Sequence, residues 1–308
     1  MVQTREGTES ARVAAEQLDD NRSSRFAAWS RLGLHRLPKL SLVGLFLILF
    51  LAFVSAFPSL LTSHSPDVQD VSIQLQGPSA AHWLGTDTFG RDLYARMIYG
   101  TRPSVLIGVG SVLLGMAVGV PLGMAAGLLG GKAERLIMSI VDVFLAFPRI
   151  ILALLFVVIF GGHLWSVTTA IAIGVAPGMV RIAHGPAIGI RSRGFVLASL
   201  TFGAKPMWIM RKHLWPSLRA EMLVLGTLGV GFSILEVAGL SFLGLSLPPP
   251  TPTWGGAISD GIPYLQTNPL YSIIPGLAIT MAVFGFNLFG DGLRDLLDPR
   301  SARRVGIG

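Results

Sequence analysis

The chain has 308 residues, 51% of them hydrophobic and 13% charged, with a mean hydropathy of +0.63, which excludes an ordinary soluble globular domain and fits a polytopic membrane protein. Its net charge of +7 sits between apolar runs rather than on a soluble, aromatic-studded face, which argues against nucleic acid as a partner. With no cysteine, it has no disulfide, thiolate nucleophile or Cys-ligated metal centre.

Residues 1–39 begin polar and then mix Phe26, Trp29, Leu32 and Leu34 with Arg25, Arg31 and Arg36. This pattern reads as a tail ending in a short interfacial helix. Residues 40–61 carry no charge and are long enough to cross a hydrocarbon core of about 30 Å. Val54-Ser55-Ala56 resembles a leader-cleavage site, but the apolar run exceeds the roughly 7–15 residues of a signal-peptide core, so a first span is expected. Further spans are predicted at 104–129, 143–160, 164–180, 222–243 and 270–290. The expected fold class is therefore all-α and polytopic, with six transmembrane helices.

With the N-terminus inside, the inner segments hold 20 Lys and Arg residues and the outer ones only Arg91, Arg96 and Arg102. Arg149 is left near the inner end of the third span. The positive-inside bias then places both termini in the cytoplasm. The organisation expected is a cytoplasmic tail (1–39), a first span with an outer loop (40–103), a core membrane domain (104–293) containing a cytoplasmic loop (181–220), and a C-terminal tail (294–308).

Within the second predicted span, Ser111, Gly115, Gly119, Gly123, Gly127 and Gly131 recur every fourth residue. Such a ridge lets another helix approach backbone to backbone. Packing within the chain and packing on a partner subunit both fit. Glu236 is the single carboxylate deep in an apolar run, and an intramembrane acid faces a cavity or a partner rather than lipid. A hydrogen-bonded structural carboxylate near the outer face is favoured over a proton path, since no second intramembrane acid or histidine forms a chain; an ion-coupled carrier using Glu236 is the alternative function. Asp142, before Phe147-Pro148, reads as a helix-start or loop-packing group at the inner interface.

Residues 195–216 form a basic loop with Lys205, Arg211 and Lys212, broken at Gly203 and Pro206. Two short helices joined by a turn are expected there. Gly130-Gly131-Lys132-Ala133 lacks the first glycine and the hydroxyl residue of a phosphate loop, and Gly108-x-Gly110 lies inside a span. The six histidines are scattered, so no metal site is predicted, His64, His82 and Asp87 being the weak exception. No nucleophile elbow or close carboxylate pair gives an enzyme a home.

Between the first two predicted spans runs His82-Trp83-Leu84-Gly85-Thr86-Asp87-Thr88-Phe89-Gly90-Arg91-Asp92, then Arg96 and Tyr99-Gly100-Thr101-Arg102. This closely resembles a block in the C-type inner-membrane permeases of ABC importers for dipeptides, oligopeptides and nickel. Leu240-Ser241-Phe242-Leu243-Gly244-Leu245, Pro248 to Gly255, and Phe286-Asn287-Leu288-Phe289-Gly290-Asp291-Gly292 are similar to further blocks of that family. The resemblance covers residues 38–300. It implies a type I ABC importer permease in a bacterial inner membrane, and makes Gly85, Thr86, Asp87, Gly90, Arg91, Asp92 and Arg96 an extracytoplasmic family motif.

The 195–216 loop aligns with the family's EAA motif. Leu197, Ala198 and Ser199 stand at its first three positions, followed by Gly203, Ala204, Lys205 and Pro206, with His213 and Pro216 near its end. Leu197 replaces the usual Glu and Ser199 the usual Ala. The resemblance implies that this loop couples to cytoplasmic ATPases. It also implies a second homologous permease, two ATP-binding subunits and an extracytoplasmic substrate-binding protein as partners. ATP and Mg would be bound by those subunits, with no catalytic residue and no cofactor in this chain.

Overall fold

The computed structural model describes residues 39–297. The expected interfacial helix and the last residues of the C-terminal tail lie outside the described residues. In chain order the main helices are α1 (Lys39–Ala56), α2 (Leu93–Leu129), α3 (Gly131–Leu145), α4 (Arg149–Phe160), α5 (Leu164–Arg191) and α6 (Gly194–Thr201). They are followed by α7 (Pro206–Phe242), α8 (Trp254–Gly261) and α9 (Leu270–Leu297). Helices α1, α2, α5, α7 and α9 are each long and apolar enough to cross a membrane. The pair α3 and α4 makes a sixth crossing if counted as one broken span.

That pair corrects the straight third span expected over 143–160. The chain bends by 90° between α3 and α4, and Val143 belongs to the end of α3. Pro148 is the cause: it has no N–H to donate and it disfavours helical geometry at Phe147. Helix α4 is left with 12 residues, about 18 Å of rise, half of a span.

Four other helices outrun their apolar stretches, α9 by continuing to Leu297. Helix α2 starts at Leu93 rather than 104, α5 continues to Arg191, and α7 begins at Pro206. Hydropathy marks where the side chains turn polar, whereas the backbone ladder continues until a cap or turn stops it. Thus most of the 181–220 loop is helical. The second short helix expected after Gly203 is the first turn of α7, joined to the rest of that helix through a π-helical segment, Met210–Leu214. Pro216, which cannot donate to the ladder, sits two residues after this widened turn.

The small-residue ridge packs within the chain. An added Cβ would lie 2.7 Å from Val175 at Gly115, 2.5 Å from the Ala176 carbonyl at Gly119, 2.3 Å from the Val180 carbonyl at Gly123 and 2.6 Å from Ala187 at Gly127. All four partners are on α5, and Ser111 Oγ donates to the Thr168 carbonyl at 3.0 Å on the same seam. Gly131 has left it and meets nothing within 4 Å. Around the seam, Val120, Met124, Val157, Ile171, Met222 and Val237 join α2, α4, α5 and α7 into one core.

Helix α1 is held by the same device. A Cβ at Gly44 would meet Phe289 N at 2.6 Å, and one at Gly285 would meet Leu47 at 2.9 Å. Gly44→Leu should therefore detach α1 from α9 while leaving the α2–α5 seam intact. The expected result is faster proteolysis near residues 57–70, read on the purified protein, with the remaining helices protected.

Candidate functional site

The sequence-predicted residues fall into three places. At the end of the bundle where α2 begins, the family block folds into a tight knot. Gly85 (φ +81°) and Gly90 (φ +68°) take left-handed conformations. A Cβ on either would also strike backbone, at 2.3 Å from the Gln76 carbonyl and 1.8 Å from the Asp70 carbonyl. Glycine is required twice over, by conformation and by space. Thr86 is buried; its Oγ1 donates to the Ile73 carbonyl and accepts the Gln76 N–H. The wrap is closed by Asp70, whose carboxyl is held below its ordinary value by hydrogen bonds from the Ser72 hydroxyl and N–H.

Asp87 is the centre of the knot, with no exposed surface. One of its oxygens accepts the N–H groups of Phe89 and Arg91 at 2.8 and 2.9 Å. The other takes Arg91 Nε at 2.6 Å, with Arg96 Nε at 3.6 Å. Arg96 reaches further, donating to the carbonyls of Pro66 and Pro250, and so ties the knot to the loop before α8. Asp92 caps α2 by accepting the Ala95 N–H at 2.6 Å, and its other oxygen meets His82 Nδ1 at 2.8 Å. All seven motif residues converge. They form a buried, charge-compensated network. His82 is used by Asp92, and among the described residues no three His, Asp or Glu side chains are grouped to hold a metal.

The second place is the bundle interior. Glu236, on α7, pairs with Arg149 at 3.1 Å. Arg149 is therefore not at the inner end of a span. It opens the half-length α4, and its stem lies 3.6 Å from where a Cβ on Gly174 would stand, ten residues into α5, or about 15 Å from that helix's start. Asp142 lies in the last turn of α3, not at a helix start, and pairs with Arg181 of α5. Glu134 of α3 meets His184 of α5 at 2.8 Å. The missed partner was legible in principle. A carboxylate in an apolar run needs a cation, and Arg149 beside the Phe147-Pro148 break was the basic residue that no predicted loop used.

The third place is α6 and the turn after it. Gly203 (φ +77°) makes the turn, donating its N–H to the Leu200 carbonyl, while the Ala204 N–H goes to Ser199 O. Pro206 starts α7, where its missing N–H costs nothing. The unit is anchored by fully buried Val196, Ile209 and Leu214, and by His213, whose ring contacts Phe195 and Trp208 at 5.1 and 5.3 Å. Above these anchors Leu197, Leu200 and Met207 stay exposed, and Phe202, a residue the motif reading passed over, is 90% exposed. Lys205, Arg211 and Lys212 are exposed around them. Large apolar side chains left exposed together mark an interaction surface, for a protein or for a membrane face.

The profile of the family described as "Binding-protein-dependent transport system inner membrane component" matches residues 119–303. The dipeptide transport system permease protein DppC of Alkalihalophilus pseudofirmus is 42% identical over 85% of this chain and 86% of its own length. The glutathione transport system permease protein GsiD of Pectobacterium atrosepticum is 38% identical over 83% of this chain and 85% of its own. The nickel transport system permease protein NikC of Escherichia coli is 38% identical over 83% of this chain and 93% of its own. A solved inward-facing structure of the MetNI methionine ABC transporter shares the fold, with a TM-score of 0.55 at 21% identity, over 66% of this chain and 96% of that one. Family membership displaces the ion-coupled carrier reading of Glu236. The chain belongs to the ABC importer permeases of the peptide, glutathione and nickel family: it is a multi-pass, non-catalytic inner-membrane subunit of a binding-protein-dependent transporter whose ATP is hydrolysed by partner ATPases.

Proposed function

We propose that the chain carries short peptides, forming half of a transmembrane pathway with a second, homologous permease, and that α6 couples it to two cytoplasmic ATP-binding subunits. The peptide assignment follows the 42% relative, a dipeptide permease. Both termini and α6 lie in the cytoplasm, as the distribution of Lys and Arg favours. The knot around Asp87 then faces the extracytoplasmic binding protein.

The observation that carries the coupling role is the α6 crest. Phe202 stands 90% exposed on a turn whose base, Val196, Ile209 and Leu214, is fully buried. A surface that is apolar, rigid and continuous with a membrane helix transmits displacement. When the ATPases close on ATP, a groove holding Leu197, Ala198, Ser199 and Phe202 drags α6, and the continuous helix α7 carries that motion past Glu236 to the opposite end. With Leu197 at the position where the family carries Glu, the grip here is apolar and the rim of Lys205, Arg211 and Lys212 supplies the charge complementarity.

The test is Phe202→Asp in the complex reconstituted with its partners. The side chain is solvated, so folding should be unaffected. Peptide uptake and binding-protein-stimulated ATP hydrolysis should fall at least tenfold together. Unchanged uptake would remove α6 as the coupling element.

A further inference from the structure

Helix α5 has two faces. One, through Val175, Met179, Ala183 and Ala187, lies on α2. The opposite face carries Gly174, Gly178, Arg181 and Gly185, spaced by four, three and four residues, so that they align on one side of a helix. Its first part is covered by α4, whose first residue, Arg149, lies against Gly174. Below that point the chain bends away by 90°, and Gly178, Gly185 and Gly189 have nothing within 4 Å of an added Cβ. Helix α5 is thus uncovered at these three glycines, while α3 still reaches it through Asp142–Arg181 and Glu134–His184.

Charged side chains are partly exposed along this stretch. Arg149 is 40% exposed and Glu236 18%, at a depth where charged side chains avoid lipid. Arg181, about 10 Å nearer the α6 end, is 57% exposed beside Asp142. The Arg149–Glu236 pair is incompletely satisfied. Arg149 Nε is buried with no hydrogen-bond partner, and a guanidinium has five donors in a fork suited to a carboxylate.

We propose that Arg149 and Glu236 form a cargo-binding site at the head of this uncovered stretch of α5, reached from the cytoplasm, where Arg149 takes the carboxylate of a zwitterionic peptide and Glu236 its ammonium group. This rests on the peptide reading above. An incoming zwitterion exchanges the internal pair for two external ones, so the charge of the site stays balanced with cargo bound or absent. Such an exchange holds the cargo weakly, which suits a transit site.

The absence of cysteine allows a direct test. Gly178→Cys in the reconstituted, nucleotide-free complex, with reactive cysteines removed from its partners, should react with a membrane-impermeant methanethiosulfonate reagent from the cytoplasmic side. Leu49→Cys on α1 should not. Dialanine should slow the Gly178→Cys reaction at least fivefold and dialanine amide less than twofold. Adding Arg149→Gln should erase that difference, and Arg149→Gln alone should lower dialanine uptake at least tenfold. A silent Gly178→Cys thiol, or equal protection by both peptides in the parent, would overturn the site. A parent complex that imports no peptide refutes the cargo reading, and the site falls with it; a parent that imports dialanine while Arg149→Gln imports it equally refutes the site alone.

Discussion

Asp87→Ala should destabilise the protein by about 3–5 kcal/mol, the scale seen when one member of a buried ion pair is removed. The cost has two sources that add in the same direction. Two backbone N–H groups, of Phe89 and Arg91, lose their acceptor, and Arg91 and Arg96, 4% and 8% exposed, lose their counter-charge. Asp87→Asn keeps the volume and one acceptor oxygen but not the charge, so it should recover only part of the loss. Asp67→Ala, on the exposed approach to the knot, should stay within about 0.5 kcal/mol. Thermal unfolding of the detergent-solubilised proteins, followed by monodisperse recovery, reads all three. Equal midpoints for Asp87→Ala and Asp67→Ala would mean that the knot contributes no stability.

Gly123→Val is expected to prevent stable accumulation altogether. Its Cβ would stand 2.3 Å from the Val180 carbonyl, and the obstacle is backbone, which no rotamer change can move. Overpacking against mobile side chains costs about 1–3 kcal/mol; here the two helices must separate along the whole seam, losing the contacts at Gly115, Gly119 and Gly127 as well. Gly178→Ala is the matched comparison, a glycine of the partner helix α5 that faces open space. It should be neutral or stabilising by up to about 1 kcal/mol, since alanine is the better helix former. Membrane-fraction yield and unfolding midpoint give the measurement. A Gly123→Val protein as stable as the parent would show that α2 and α5 do not meet in the way described.

The membrane class and the approximate positions of the spans were legible because hydropathy is a property of single residues summed along the chain. What was not legible depended on pairing. The α2 ridge announced a close helix contact but could not say with whom, because small residues fit any backbone. The 90° break was hidden because Phe147-Pro148 lies inside an apolar stretch, where hydropathy continues across a bend. In the knot, the sequence displayed two Asp and two Arg without their partners. Asp87 gathers both arginines, while Asp92 goes to His82 and to the start of α2. Phe202 was overlooked for a simpler reason: an apolar residue in an apolar chain is not conspicuous until the structure leaves it 90% uncovered.

The seam between α2 and α5 also limits how this subunit can move. Helices separated by interdigitated side chains can slide as rotamers change, but at Gly119 and Gly123 the two main chains are in direct contact, with no flexible layer between them. Shear there is blocked. Helices α2 and α5 therefore travel as a single stiff beam, and a displacement delivered at one end of the beam arrives undiminished at the other.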